Sequence, residues 1–222
     1  RQDVKVGGKF LHAARPAFKR IFTQVYTLTN ENPTPPGAST QCRGQMPHET
    51  VLWSRLGQYD PALFDELYYP DGHLMEYWAH AAAFAPIETL PHYRRGMAVF
   101  REKYGEPGTW AHRERELVER VLATIRERGP LSSRDFERPD GPRPEPWEWY
   151  GGKPDRQALE YLWTVGDLMV QRRQGFQRVY EVTERIAPHI INHQPTSLEE
   201  DQRHFVSTSL RAMGVALAPW VA

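Results

Sequence analysis

The sequence predicts an α+β fold, mainly helical with small β elements. Two observations predict it. Apolar residues recur at helical spacing in several segments, most clearly Leu117, Val118, Val121, Leu122 and Ile125. Two alternating stretches, 168–172 and 176–182, flank Gln174-Gly175, which is a hairpin signal. Three helices followed by a hairpin is the order of a winged helix-turn-helix module.

The elements follow in chain order. Residues 5–10 suit a short strand and 13–26 a short helix, while the polar, Pro-containing stretch 30–44 reads as loop or disorder. From Pro47 onward the pattern is orderly. Asp60 is a suitable N-cap, with Pro61 at the first helical position and Leu63, Phe64 and Leu67 as the apolar stripe. Residues 74–78 suit a strand. Residues 87–104 suit one longer helix, interrupted in pattern by Pro91 and Gly96. The helix carrying Leu117 to Ile125 stops at Gly129-Pro130. Ser132 or Ser133 caps a second short helix through Phe136. A Pro-rich link spans 137–146 and precedes Trp147, Trp149 and Tyr150. A third helix starts near Pro154, with Ala158, Leu159, Leu162 and Trp163 as its buried face, and ends at Gly166. The last helix starts at Thr196, where Thr-Ser-Leu-Glu has capping-box spacing, and ends at Gly214. The expected domains are therefore 1–46, 47–112, 113–187 and 188–222.

Composition bounds the function. The 222 residues carry 28 basic and 28 acidic side chains, so the chain is neutral overall. Dedicated nucleic-acid binders are often basic, but a neutral protein can carry a local basic face. The single Cys42 excludes an internal disulfide and fits a reducing cytoplasm. No apolar run suits a membrane span, and no apolar signal core opens the chain.

Three words recur in order: Val-Leu-Trp-Ser-Arg at 51–55, Glu-Tyr-Trp-Ala-His-Ala-Ala at 76–82 and Gly-Phe-Gln-Arg-Val-Tyr-Glu-Val-Thr-Glu-Arg at 175–185. Together with 129–136 and 147–162 they resemble the bacterial crosslink-repair DNA glycosylases of the YcaQ/AlkZ type, over about 47–214. The resemblance implies tandem winged-helix units, with no metal and no cofactor. It implies hydrolysis of N-glycosidic bonds of bulky alkylated or interstrand-crosslinked purines. The implied partner is double-stranded DNA with alkylation damage, met by a cytoplasmic monomer away from any membrane.

The family's chemistry is associated with a Gln–aliphatic–Asp or Gln–aliphatic–Gln motif upstream of the Trp corresponding to Trp53. The corresponding stretch here, Pro-Pro-Gly-Ala-Ser-Thr around Gly37, has no such motif, and Gln24-Val25-Tyr26 lies too far upstream. No catalytic residue is carried over, and impaired activity is expected. Back-translation of Gln41 to Met46, shifted by one base, permits a family-like run, so a shifted reading frame before about residue 47 is a further expectation. The family's C-terminal β-domain is also not matched. A non-enzymatic winged-helix DNA binder, regulator-like, is the alternative.

Candidate DNA-contacting residues fall in two places. Lys153, Arg156 and Gln157 open the third helix, where winged-helix proteins meet phosphates or bases; the plain alternative is a solvated helix face. Arg172, Arg173 and Arg178 flank the hairpin turn, where guanidinium groups can straddle phosphates. Glu76 could position a water or stabilise a sugar cation, or be a strand-edge charge; His80 could touch DNA or orient a water, but suits a core edge better. Trp147, Trp149 and Trp163 suit base stacking less well than packing. His189 and His193 have metal-ligand spacing, but flanking prolines and no completing acid argue against zinc. Gly151-Gly152-Lys153 lacks the rest of a phosphate loop.

Overall fold

The computed structural model describes residues 52, 60, 62–69, 72–78, 82–136, 153–191 and 196–213. Helices dominate, with two small antiparallel sheets, as an α+β fold requires. The described residues fall into two compact units. One contains those up to Thr89 together with those from Thr196 onward, and the other those from Leu90 to Ile191.

In the first unit, helix α1 (Ala62–Tyr68) begins where the sequence predicts. The Asp60 carboxylate accepts the Ala62 amide at 3.0 Å, satisfying one of the helix's open N–H groups. Strand β1 (Leu74–Trp78) pairs antiparallel with β2 (Ala82–Pro86), a partner not foreseen in the sequence. Phe84 of β2 meets Phe64 and Tyr68 of α1 edge-on, at 5.0 and 5.1 Å between ring centres. Such edge-to-face pairs stabilise beyond their buried area.

The single helix expected over 87–104 is in fact a 3-10 turn (Ile87–Thr89) followed by α2 (Leu90–Gly105), the first element of the second unit. Pro91 lies in the first turn of α2, where its missing N–H costs no helical bond, so it marks a start and not a break. A short α3 (Trp110–Arg113) precedes α4 (Arg115–Arg128). Leu117, Val118, Val121 and Ile125 form the buried face of α4, with Leu122 half-buried at its edge. Gly129 ends it with φ +86°, and its amide returns to the Ile125 carbonyl at 2.9 Å.

Strand β3 (Leu131–Ser132) follows, and then the expected short helix, a single 3-10 turn (Ser133–Phe136). Of the two serines, Ser132 is the one tied to the turn's acid. Its amide and hydroxyl both donate to Asp135 Oδ2, at 2.7 and 2.8 Å. The Ser132 amide first, then its hydroxyl and the charge of Arg128, hold the Asp135 carboxyl below its ordinary range. A lowered folded value means that this contribution is present above about pH 4 and is lost as pH falls below it. Asp135→Asn should therefore flatten the acid limb of a stability–pH curve and shift its neutral plateau little. Urea melts between pH 3 and pH 7 check this, and parallel curves for the two proteins would contradict it.

Helix α5 (Pro154–Thr164) buries Ala158, Leu159, Leu162 and Trp163, as predicted. Gly166 ends the turn beyond it with φ +82°, and a β-carbon there would sit 2.5 Å from Met97 Sδ on α2. Only glycine satisfies both the backbone and that approach. Strands β4 (Leu168–Gln174) and β5 (Gln177–Val182) form the hairpin, and β5 also pairs with β3, giving the sheet order β3-β5-β4. Two short helices, α6 (Thr183–Ile186) and α7 (Pro188–Ile191), follow.

Two polar ties fix this unit. Arg101 of α2 grips Asp167 with both guanidinium arms, at 2.9 and 2.7 Å, and donates to the Val165 carbonyl at 3.0 Å. Glu181, only 4% exposed, accepts the Val182 amide at 2.8 Å and Arg185 at 3.1 Å. Arg185 also donates to the carbonyls of Ile125 and Arg126, capping the C-terminus of α4. Arg185→Ala should destabilise the protein by about 2 kcal/mol, because it leaves a buried carboxylate without its cation. Adding Glu181→Gln should recover part of that loss in urea melts; a merely additive second loss would refute the pairing argument.

The last helix, α8 (Leu198–Met213), belongs to the first unit. Its capping box lies one residue later than expected: Glu200 N donates to Ser197 Oγ, and Ser197 N to Glu200 Oε2. Thr196 is engaged otherwise, by the buried Asp201. Residues 1–46, the link at 137–146 and the tail at 214–222 lie outside the described residues.

Candidate nucleic-acid interface

The start of α5 is positioned by its own punctuation. Lys153 is the N-cap residue with extended backbone, and Pro154 occupies the first helical position. Lys153, Arg156 and Gln157 are exposed. Asp155 sits among them, 3.9 Å from Arg120 of α4, so this turn carries mixed charge. Open N–H groups and cations at a helix start suit a phosphate oxygen.

The hairpin tip differs. From 171 to 178 the chain reads Gln-Arg-Arg-Gln-Gly-Phe-Gln-Arg, with three cations and no acid. Gly175 has φ +58°, and among the described residues no non-glycine residue has positive φ. Gly175-Phe176 is therefore the two-residue loop with glycine at its first central position, the type II′ signature. Phe176, expected as the start of the second strand, is instead the tip of the loop and is 65% exposed.

A bulge decides where the arginines point. Val170 faces Tyr180, but Arg172, not Gln171, faces Val179, so the register slips by one residue at Gln171. Side chains alternate along a strand. The slip therefore puts Arg173 directly across from Arg178, on the sheet face shared with Val170 and Tyr180. Arg172 goes to the opposite face with Val179 and Glu181. Cross-strand like charges are destabilising by themselves. The Arg178 guanidinium lies 4.4 Å from the ring centre of Trp163, which holds it over α5. Arg173 donates to the Phe176 carbonyl at 3.0 Å and Arg172 to Gln171 Oε1 at 2.6 Å. The sequence thus locates two groups of candidates, one at the helix start and one at the tip. It does not reveal which of the two adjacent arginines, Arg172 or Arg173, shares the face of Val170 and Tyr180.

The remaining candidates fall out differently. Trp163 is fully buried and cannot stack on a base. Glu76 is 2% exposed on β1, across from Phe84, so it is no strand-edge charge. His189 is exposed, and among the described residues no group of three His, Cys, Asp or Glu side chains could hold a metal ion. His80, Trp147, Trp149, His193 and Gly151-Gly152 lie outside the described residues. Among the described residues no helix is long and apolar enough to cross a membrane.

The family model of the AlkZ-like DNA glycosylases matches residues 37–222. The chain belongs to the AlkZ-like DNA glycosylase family. No solved structure matches it. The family match starts upstream of Pro47 and runs past Gly214, so it extends beyond the span legible in the recurring words. Membership in the AlkZ-like family places the chain in DNA repair, among proteins that remove bases from DNA. It also makes DNA the partner toward which a basic surface should be read. Two features of the word at 175–185 went unread in the sequence: the exposed ring of Phe176 and the Glu181–Arg185 tie. Their only sequence signals are an aromatic beside a turn glycine and an i,i+4 acid–base pair crossing a strand–helix boundary.

Proposed function

We propose that this chain binds duplex DNA through the second unit, read as a winged helix in which α4, the 3-10 turn at Ser133–Phe136 and α5 are the three helices and β4–β5 the wing. The first unit, with its helix and hairpin, is read as a related module in tandem. Lys153, Arg156 and Gln157 meet one stretch of backbone, and Arg172, Arg173 and Arg178 another. The lesion class is a bulky alkylated or interstrand-crosslinked purine. The observation that carries the DNA reading is the acid-free tip, where Arg173 and Arg178 face each other in register. Like charges set across a strand pair repel, and a polyanion beside them offsets that repulsion.

Catalysis is impaired in this chain on the same reading, because no Gln–aliphatic–Asp or Gln–aliphatic–Gln sequence occurs around Gly37. That observation also favours the second reading, a DNA-binding protein without glycosylase activity. Two measurements on the full chain separate them. Fluorescence anisotropy with a labelled duplex should show log affinity falling linearly with log salt. Incubation with N7- and N3-alkylated duplex then reads released base. Salt-dependent binding with slow release supports an impaired glycosylase, and binding with none favours the non-enzymatic reading. No binding at low salt would remove both.

A further inference from the structure

We infer that Phe176 is an apolar wedge that enters the DNA stack between base pairs, with the neighbouring arginines seated on the flanking phosphates. The inference deepens the DNA-binding reading and rests on it. Phe176 is the most exposed large apolar side chain among the described residues, at 65%. It is presented on a two-residue loop, the narrowest hairpin end available. The loop is braced, since Arg173 donates to the Phe176 carbonyl at 3.0 Å. The strands behind it are anchored at their roots by Leu168, Val170, Tyr180 and Val182, all buried. A bulge lies further down β4, at Gln171.

The chemistry of the tip selects the occupant. An exposed phenyl ring alone suits any apolar partner. Here every charged residue from 171 to 178 is an arginine, and the nearest acid along β5, Glu181, is buried against Arg185. Arg172 and Arg173 leave the strand on opposite faces, with Phe176 between them at the end of the blade. Two rows of phosphate flanking a narrow groove, with base pairs at its floor, present the complementary pattern. Proteins that widen and kink duplex DNA insert single Phe, Leu or Ile side chains in this manner.

The test uses the full chain and a short duplex carrying 2-aminopurine beside a central abasic analogue. Wild-type protein at saturation should raise 2-aminopurine emission, because the neighbouring stack opens. Phe176→Ala should bind about tenfold more weakly, as loss of one base-stacking aromatic predicts. Its salt slope should be unchanged, since every cation remains, and the emission rise should vanish. Phe176→Trp should restore affinity and the rise. Phe176→Ala matching wild type in affinity and emission would overturn the wedge while leaving DNA binding intact. Loss of binding to anionic phosphatidylserine vesicles in Phe176→Ala, with duplex binding untouched, would overturn it in favour of a membrane contact. Failure of the wild-type chain to bind any duplex at low salt would remove the DNA reading and the wedge with it.

Discussion

Trp163→Ala is expected to destabilise the second unit by about 4 kcal/mol, within the range for deleting a buried large aromatic. Trp163 has no exposed surface and sits in the last turn of α5, next to Leu162 and two residues before Val165, both also buried. Removing the indole leaves a cavity too large for the surrounding helices to close, because they are held by the Arg101–Asp167 grip and by Gly166 packed against Met97. A domain of ordinary stability has about 5–15 kcal/mol in total, so this change takes a large share. Trp163→Phe should cost less, since much of the volume remains. There is a second consequence. The Arg178 guanidinium lies over the indole face, a cation–π contact that helps to hold it. Trp163→Ala should therefore also let Arg178 move and raise the cost of ordering it on DNA. Urea melts with a probe in the second unit read the stability. A loss below about 1 kcal/mol would mean that Trp163 is not the packing centre of the unit.

Much of the second unit was legible, for identifiable reasons. Leu117 to Ile125 and Ala158 to Trp163 repeat at helical period, and Gly129, Pro154, Gly166 and Gly175 punctuate them where the backbone requires. Strand β2 was not legible. Ala-Ala-Phe-Ala-Pro has no β-branched residue and no alternation, and it becomes a strand only because β1 supplies a partner. Strand β3 is two residues long, below what any pattern can show. The capping box slipped by one because Thr196 and Ser197 can both cap, and Glu199 and Glu200 can both answer. The choice is made by Asp201, which engages Thr196 from the next turn. Of the candidate interface, the cations were legible because they flank turns and helix starts. Their sidedness was not, since a bulge at Gln171 is a property of the pairing with β5 and leaves no mark in β4 alone.

That sidedness leads to the second large effect. Arg172→Ala combined with Arg173→Ala is expected to weaken duplex binding by about a hundredfold at low salt and to lower the salt slope by about two. Each arginine that neutralises one phosphate contributes close to one unit of slope. Because adjacent residues of a strand point to opposite faces, the two should contact different strands of the duplex and act independently. Each single change should then cost about half the slope loss of the pair. Stability should behave in the other sense. Arg173 faces Arg178 across the strands, so Arg173→Ala removes a repulsion while giving up favourable contacts, the hydrogen bond to the Phe176 carbonyl among them. These offset, and the melting midpoint should hardly change. Anisotropy across a salt series, beside urea melts of the same proteins, reads both quantities. An unchanged slope would take the hairpin out of the interface. A stability loss in step with the affinity loss would make these arginines parts of the fold, and the opposed pair at the tip would then need a reason other than DNA.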